Sequence, residues 1–392
     1  SSKRPRRIGL ALEFDLLYKQ HTALFAGVQR FAEERGWVTV LDDWVGETLR
    51  KSPRDRPAFD GIIARVDGPR VGLPRVAAAR GVPLVNVNSA SPLVDRLPGV
   101  FRDFKQAGRL WAEHLLSRGL RHFACWSLDD RPAYQQQADA FTAAIAEAGY
   151  AVIRLNSPGF WGKSLASYRK SERSLRKWMD RWPLPIGVGT PADTVSRLIA
   201  QMAIERGWRV PEDVAIVSGN NEEHLCENVR PMLTSVEVGY QRIGYEAARL
   251  LESLMDSRGP REATHVIVPP VGIVVRESTD FYASGDDIVS QAQAFIASQY
   301  DRPIDVAHVA AKVCVSIRTL QNHFHAALHR TVGQEILRVR LEKVKRELVG
   351  GDRSIQEIAK RAGFASNARL SIVFKRETGM SPREYRAART VP

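Results

Sequence analysis

Arg318, Thr319, Gln321, Asn322 and His325 fall within eight residues, interleaved with Leu320 and Phe324. The apolar pair marks one buried helix face, so the polar residues occupy the rest of the surface. Arginine forks onto guanine, and Asn or Gln onto adenine, through paired hydrogen bonds to base edges in the major groove. A second stretch repeats the pattern. Leu370, Val373 and Phe374 turn inward, while Asn367 and Arg369 open the helix and Lys375 and Arg376 close it. Arg318, Gln321, Asn322, Asn367 and Arg369 are of the types suited to such contacts. Lys375 and Arg376 are placed to reach a backbone phosphate, and a helical histidine such as His325 near DNA contacts phosphate or base.

Such side chains need a helix held at a fixed angle by a second helix. Ile355, Ile358 and Ala359 supply a supporting face, and Gly363 stands where a tight interhelix turn needs no side chain. The run Ile355 to Ser366, followed by Phe374-Lys375, Gly379, Ser381-Pro382 and Tyr385-Arg386, resembles the C-terminal pattern of AraC-type transcription regulators. That resemblance implies two helix-turn-helix units joined by a long helix, with base contacts early in each reading helix, here Arg318, Gln321 and Asn322 in the first unit and Asn367 and Arg369 in the second. Ile304, Val306, Val309 and Ala310 suit the first unit's support, Val313 to Ser316 its turn, and Ile336 to Val349 the linking helix, stopped by Gly350-Gly351-Asp352. Two departures from the family appear. Cys314 stands in the first turn where glycine is usual. Ala368 and Ile372 occupy the second reading helix where polar or basic residues are common, so the first unit is expected to carry more sequence information.

Charge agrees. The chain has a net +13, and from Phe281 onward 18 Lys and Arg face 11 Asp and Glu, a net +7 over 112 residues. Such a skew fits a nucleic-acid partner. No run of eighteen apolar residues occurs, so no membrane span is expected. The apolar stretch Ile8 to Leu12, cut off by Glu13, is read as a first strand rather than a signal-peptide core. Cys125, Cys226 and Cys314 are odd in number and far apart, which fits reduced thiols and a cytoplasmic location. His325 and His329 share a helix face, but no metal and no cofactor is expected. No enzyme motif is legible: there is no glycine-rich phosphate loop with a following lysine, and none of the cysteines has the Pro-Cys or Cys-His setting of a DNA alkyl-transfer protein.

Residues 6–280 alternate short apolar runs with amphipathic stretches, as in Phe59 to Ala64, Val82 to Val87, Ile186 to Gly189 and Val214 to Val217. This predicts α/β structure with parallel sheets covered by helices on both faces. The order of Asp60-Gly61-Ile62-Ile63, Val82 to Val85, Val100 with Asp103 and Gly108, Leu115 to Phe123, Val210 to Val217, Leu233 to Val236 and Gly244 with Ala247-Ala248 resembles the effector domain of LacI-type repressors, related to periplasmic binding proteins. The resemblance implies a two-lobed sensor over 6–280 with chain crossings near Arg121, Ser235 and Thr264. A linker at 281–287 and an all-α, AraC-type double helix-turn-helix domain at 288–392 would follow.

Ligands of parallel sheets sit beyond the carboxyl ends of the strands. Sugars need planar polar groups for their hydroxyls and aromatic faces for their C–H surfaces. The residues meeting both conditions are Glu13, Asp15, Tyr18, Arg65, Asp67, Asn88, Trp126, Arg131, Thr190, Asp193, Asn220 and Asn221. Each type also serves as an ordinary loop cap, and Asp103 reads equally well as a hinge residue. By the resemblance Arg131 stands at an effector-binding arginine and Asn220 at a usual aspartate. Pro191 replaces another usual aspartate. The combination implies a sugar-responsive, DNA-binding regulator, an activator more readily than a repressor, with a pentose such as D-xylose as effector. A homodimer, operator DNA and RNA polymerase are the implied partners.

Overall fold

The apolar runs become the strands of two separate sheets in the computed structural model of the chain. It describes residues 4–13, 18–53, 55–129, 131–157, 164–256, 264–280, 286–328, 330–349 and 353–387. Asp15, His329 and most of the expected linker lie outside the described residues. The strands are β1 (Arg7–Ala11), β2 (Val38–Leu41), β3 (Gly61–Ala64), β4 (Leu84–Asn86), β5 (Gly99–Arg102), β6 (His122–Leu128), β7 (Val152–Ser157), β8 (Ile186–Gly189), β9 (Val214–Ser218), β10 (Thr234–Glu237), β11 (His265–Val268) and β12 (Gly272–Val274). One sheet runs β11-β5-β4-β3-β1-β2 and is parallel throughout. The other runs β12-β10-β9-β8-β6-β7, with only β12 antiparallel. Central strands are apolar on both faces, as at Ile62-Ile63-Ala64, because helices cover both sides.

The first sheet belongs to a unit of 1–103 and 239–270, the second to a unit of 104–238 and 271–389. The chain therefore changes unit at Asp103, Val238 and Pro270. The first change precedes the position expected near Arg121, because helix Phe104–Ser117 packs within the second unit against helix Pro132–Glu147. Gly108 permits that approach: a Cβ there would lie 2.1 Å from the Gln137 carbonyl oxygen. Gly244 does the same in the first unit, where helix Tyr240–Met255 crosses helix Lys19–Arg35 and a Cβ would meet the Leu24 carbonyl oxygen at 2.0 Å. Two glycines of the motif series are thus close-packing positions.

The C-terminal helices have two cores of their own. Val289, Ala292, Ile296, Val309, Leu320, Phe324, Val332 and Ile336 form the first. Leu341, Val344, Leu348, Ile358, Leu370, Val373, Phe374 and Tyr385 form the second. One helix, Val332–Val349, feeds both, so the two reading units share a rigid spine. Helix Asp287–Gln299 completes the first core and was not part of the sequence expectation. Ser354 and Glu357 form a capping box at the start of the second support helix, Ile355–Arg361. Among the described residues no helix is long and apolar enough to cross a membrane.

Candidate functional site

The carboxyl end of the first sheet gathers charge. Glu13 leaves β1 with a left-handed φ of 61°, a strained setting for a side-chain-bearing residue. Its carboxylate takes Arg65 at 3.2 Å and Arg70 at 2.7 Å, and Arg70 also reaches Asp43 at 3.0 Å. Asp67 accepts from the Asn88 Nδ2 at 2.6 Å, and Asn86 braces the same loops through the backbone N–H groups of Val66 and Asn88. Burial alone would push Glu13 upward, but the Arg65 and Arg70 guanidiniums outweigh it and hold Glu13 below the usual carboxylate range. Burial and the neighbouring Glu13 carboxyl push Asp67 above that range despite Arg65. Glu13, Arg65, Asp67 and Asn88 are therefore one network of planar donors and acceptors. Tyr18 packs edge-on against His21, whose ring nitrogen lies 2.7 Å from the Glu13 carbonyl oxygen. Arg70 and Asp43 were not among the expected residues. Nor was Trp44, which is 71% exposed just past the end of β2. Neither Trp44 nor Arg70 lies in a motif, and β2, which leads to Trp44, has no unbroken apolar run.

The second sheet's carboxyl end is organised around Asp193. It is 2% exposed. One carboxylate oxygen accepts the Ser218 hydroxyl, the Ser235 hydroxyl at 3.0 Å and the Asn220 N–H at 3.3 Å. The other accepts the Glu222 N–H at 2.8 Å. Thr190 is equally inward, its hydroxyl 2.6 Å from that of Ser196. These two hold the loops rather than face outward. Gly219 lies so close to Pro191 that a Cβ there would come within 2.5 Å of the Pro191 carbonyl oxygen.

Asn221 is pulled into a left-handed φ of 51° and is 4% exposed. It donates to Glu237 at 2.7 Å, while its buried side-chain oxygen has no hydrogen-bond partner among the described residues. A buried acceptor left open is costly unless something else fills it. Asn220 is half-buried beside it, and Arg131 is exposed at the N-cap of helix Pro132–Glu147. Trp126 is placed differently from the expectation. Its alternation in β6 puts the ring into the core with Leu175, Trp178 and Val188, so it covers no ligand surface.

On the first reading helix, Ile317–Leu328, the buried stripe is Leu320, Phe324 and Leu328. At 100° per residue Asn322 lies opposite that stripe, with Thr319 on one side of it and Arg318, then His325, on the other; Arg318, Asn322 and His325 are all exposed. Gln321 is half-buried toward the other side, and its side-chain oxygen takes the Val332 N–H at 3.4 Å, which ties the helix to the spine. On the second reading helix, Asn367–Thr378, Asn367, Arg369, Lys375 and Arg376 are exposed. Arg376 pairs with Glu377 at 2.7 Å. The turns match as well: Cys314 has a φ of 56° and Gly363 one of 72°. Cys314 thus adopts the glycine conformation at the cost of about 1 kcal/mol of strain.

Two family models match the chain: a periplasmic binding protein-like domain over residues 112–279 and a helix-turn-helix domain over 309–388. The xylose operon regulatory protein of Escherichia coli strain K12 is 27% identical over 366 residues, 91% of this chain and 88% of that one. Its namesake from Haemophilus influenzae is 27% identical over 387 residues, 97% and 98% of the two chains. A solved structure described as the xylose-binding transcription activator xylR aligns with a TM-score of 0.60 at 24% identity, covering 99% of this chain and all of that one.

Proposed function

We propose that the chain is a sugar-responsive transcription regulator that joins a periplasmic-binding-protein-like sensor to an AraC-type reader, and that it activates a sugar-catabolic operon in answer to a pentose. The observation that carries the reading is the Glu13, Arg65, Asp67, Arg70, Asn88 network at the carboxyl end of one sheet, in a chain that also presents two reading helices. Paired charged planar groups suit vicinal hydroxyls, and the exposed rings of Tyr18 and Trp44 suit the C–H face of a sugar. At the carboxyl end of the second sheet, taken by itself, Arg131, Asn220 and Asn221 are the residues we assign to ligand recognition. A sugar acts on such a chain only by binding one of its states more tightly than another. We take it to act on a homodimer at operator DNA that recruits RNA polymerase. The outer edge of β2, with Val38 42% and Leu41 53% exposed and no further strand paired to it among the described residues, supports self-association.

A thermal-shift series of the full chain against pentoses and hexoses tests the sensor. A pentose at a hundred times its Kd is expected to stabilise by about 2.7 kcal/mol. Arg131→Ala should remove the shift and leave the unliganded midpoint within a few degrees. No shift with any sugar, or an unaltered shift in both Arg131→Ala and Asn220→Ala, would overturn the assignment.

The reader is tested by salt. Arg318→Ala should cost roughly 1–3 kcal/mol on a specific site and relax preference at one base pair. Lys375→Ala should weaken every duplex alike and flatten the salt dependence. Equal losses on specific and non-specific DNA in Arg318→Ala would make that residue a phosphate contact.

The DNA alkyl-transfer reading requires a thiol that ionises readily. Burial instead pushes Cys125 and Cys226 up to about 12, the opposite of activation, and Cys314 is held in a turn.

A further inference from the structure

Ile372 is 65% exposed, the second most exposed of the large apolar side chains after Trp44 among the described residues. Its place is specific. The buried stripe of helix Asn367–Thr378 is Leu370, Val373 and Phe374. At 100° per residue, the direction opposite that stripe passes through Ala368, Ile372 and Lys375, with Arg369 and Arg376 on one flank. These three repeat, at the same i, i+4, i+7 spacing, the Arg318, Asn322 and His325 of the first reading helix. The second unit thus presents a methyl and a branched aliphatic side chain where the first presents polar groups, inside a frame of cations. A singly exposed isoleucine is ordinary on a protein surface. One at the centre of a cationic helix face, in register with the base-reading positions of a paired unit, is placed against the ligand of that face.

Major-groove edges offer one apolar feature, the 5-methyl group of thymine, and aliphatic side chains read it by contact. We propose that Ile372, supported by Ala368, is a thymine-reading site: the second unit recognises the 5-methyl group of a thymine by apolar contact, with Lys375 and Arg376 positioning the helix on phosphates. This rests on the DNA-binding reading of the chain. It revises the expectation that departure from polar residues leaves the second unit poor in sequence information. The information is carried by methyl groups instead of hydrogen bonds.

Replacing thymine by uracil removes that methyl and leaves Watson–Crick pairing unchanged. The full chain is first used to select duplexes from a random-sequence pool, and each thymine of the enriched site is then replaced by uracil in turn. At one or two thymines in the half-site read by the second unit, uracil should weaken the native chain by roughly fourfold, the worth of one buried methyl. The same replacement should have no effect on Ile372→Ala or on Ile372→Gln, whose helix face is otherwise kept. Arg318→Ala should retain the full uracil penalty, since it acts in the other unit. A penalty equal in the native chain and both Ile372 variants at every thymine would overturn the proposal while leaving DNA binding intact. So would a second half-site without a preferred thymine. Failure of the full chain to enrich any duplex would instead remove the DNA-binding reading, and this inference with it.

Discussion

Asp193→Ala is expected to destabilise the second sensor unit by roughly 3–5 kcal/mol and to abolish sugar binding together with it. The carboxylate is buried and accepts from two hydroxyls and two backbone N–H groups, so its removal strands four donors in a site with little access to water. Those donors belong to Ser218, Asn220, Glu222 and Ser235, which shape the turn carrying Asn220 and Asn221. Asp193→Asn keeps one acceptor oxygen but turns an N–H₂ group toward donors, and should recover only part of the loss. Urea unfolding of the full chain, followed by tryptophan fluorescence, reads the second unit, because Trp126, Trp178 and Trp182 sit in its core. A loss below about 1 kcal/mol would mean that the loops hold their shape without the carboxylate.

The second large effect belongs to the reader. Glu335 is fully buried, bound by Arg338 through two parallel bonds of 2.8 and 3.0 Å, by Arg330 at 3.0 Å and by Gln293 at 3.2 Å. It ties helix Asp287–Gln299 to the spine helix. Glu335→Ala removes the buried carboxylate that Arg330, Arg338 and Gln293 share and should cost roughly 3–5 kcal/mol in the first reading unit. Burial pushes the Glu335 carboxyl upward, yet Arg338 and Arg330 outweigh it and hold it below its ordinary value. The folded state therefore binds its proton more weakly than the unfolded chain. Its contribution is complete above the ordinary glutamate value and is lost as pH falls through the lowered folded value. Acid unfolding of the reader should move to higher pH in Glu335→Gln. An unchanged acid midpoint would show that the pair contributes nothing net.

The α/β sensor and the double helix-turn-helix were legible because their signals are local. Continuous apolar runs mark β1, β3, β4, β8 and β9, whose two faces are both covered. The strands absent from the sequence reading include β2 and β7, each an edge strand of its sheet. An edge strand is half exposed and lacks the unbroken apolar run, as Val38–Leu41 illustrates. Helix Asp287–Gln299 was missed although Val289, Ala292 and Ile296 have helical spacing.

For the site, the residue types at strand ends were readable, and their orientation was not. A strand's alternation sent Trp126 inward. Asp193 and Thr190 proved to hold loops, Gln321 turned to the spine, and Arg70, Asp43 and Trp44 joined from segments with no motif. Sequence determines which residues are apolar, charged or free to turn, because those properties belong to single residues and their near neighbours. Which carboxylate meets which guanidinium is decided by packing between elements far apart in the chain. That is why Glu13 finds Arg65 and Arg70, and why Ile372 is left facing outward, only once the helices and sheets are in place.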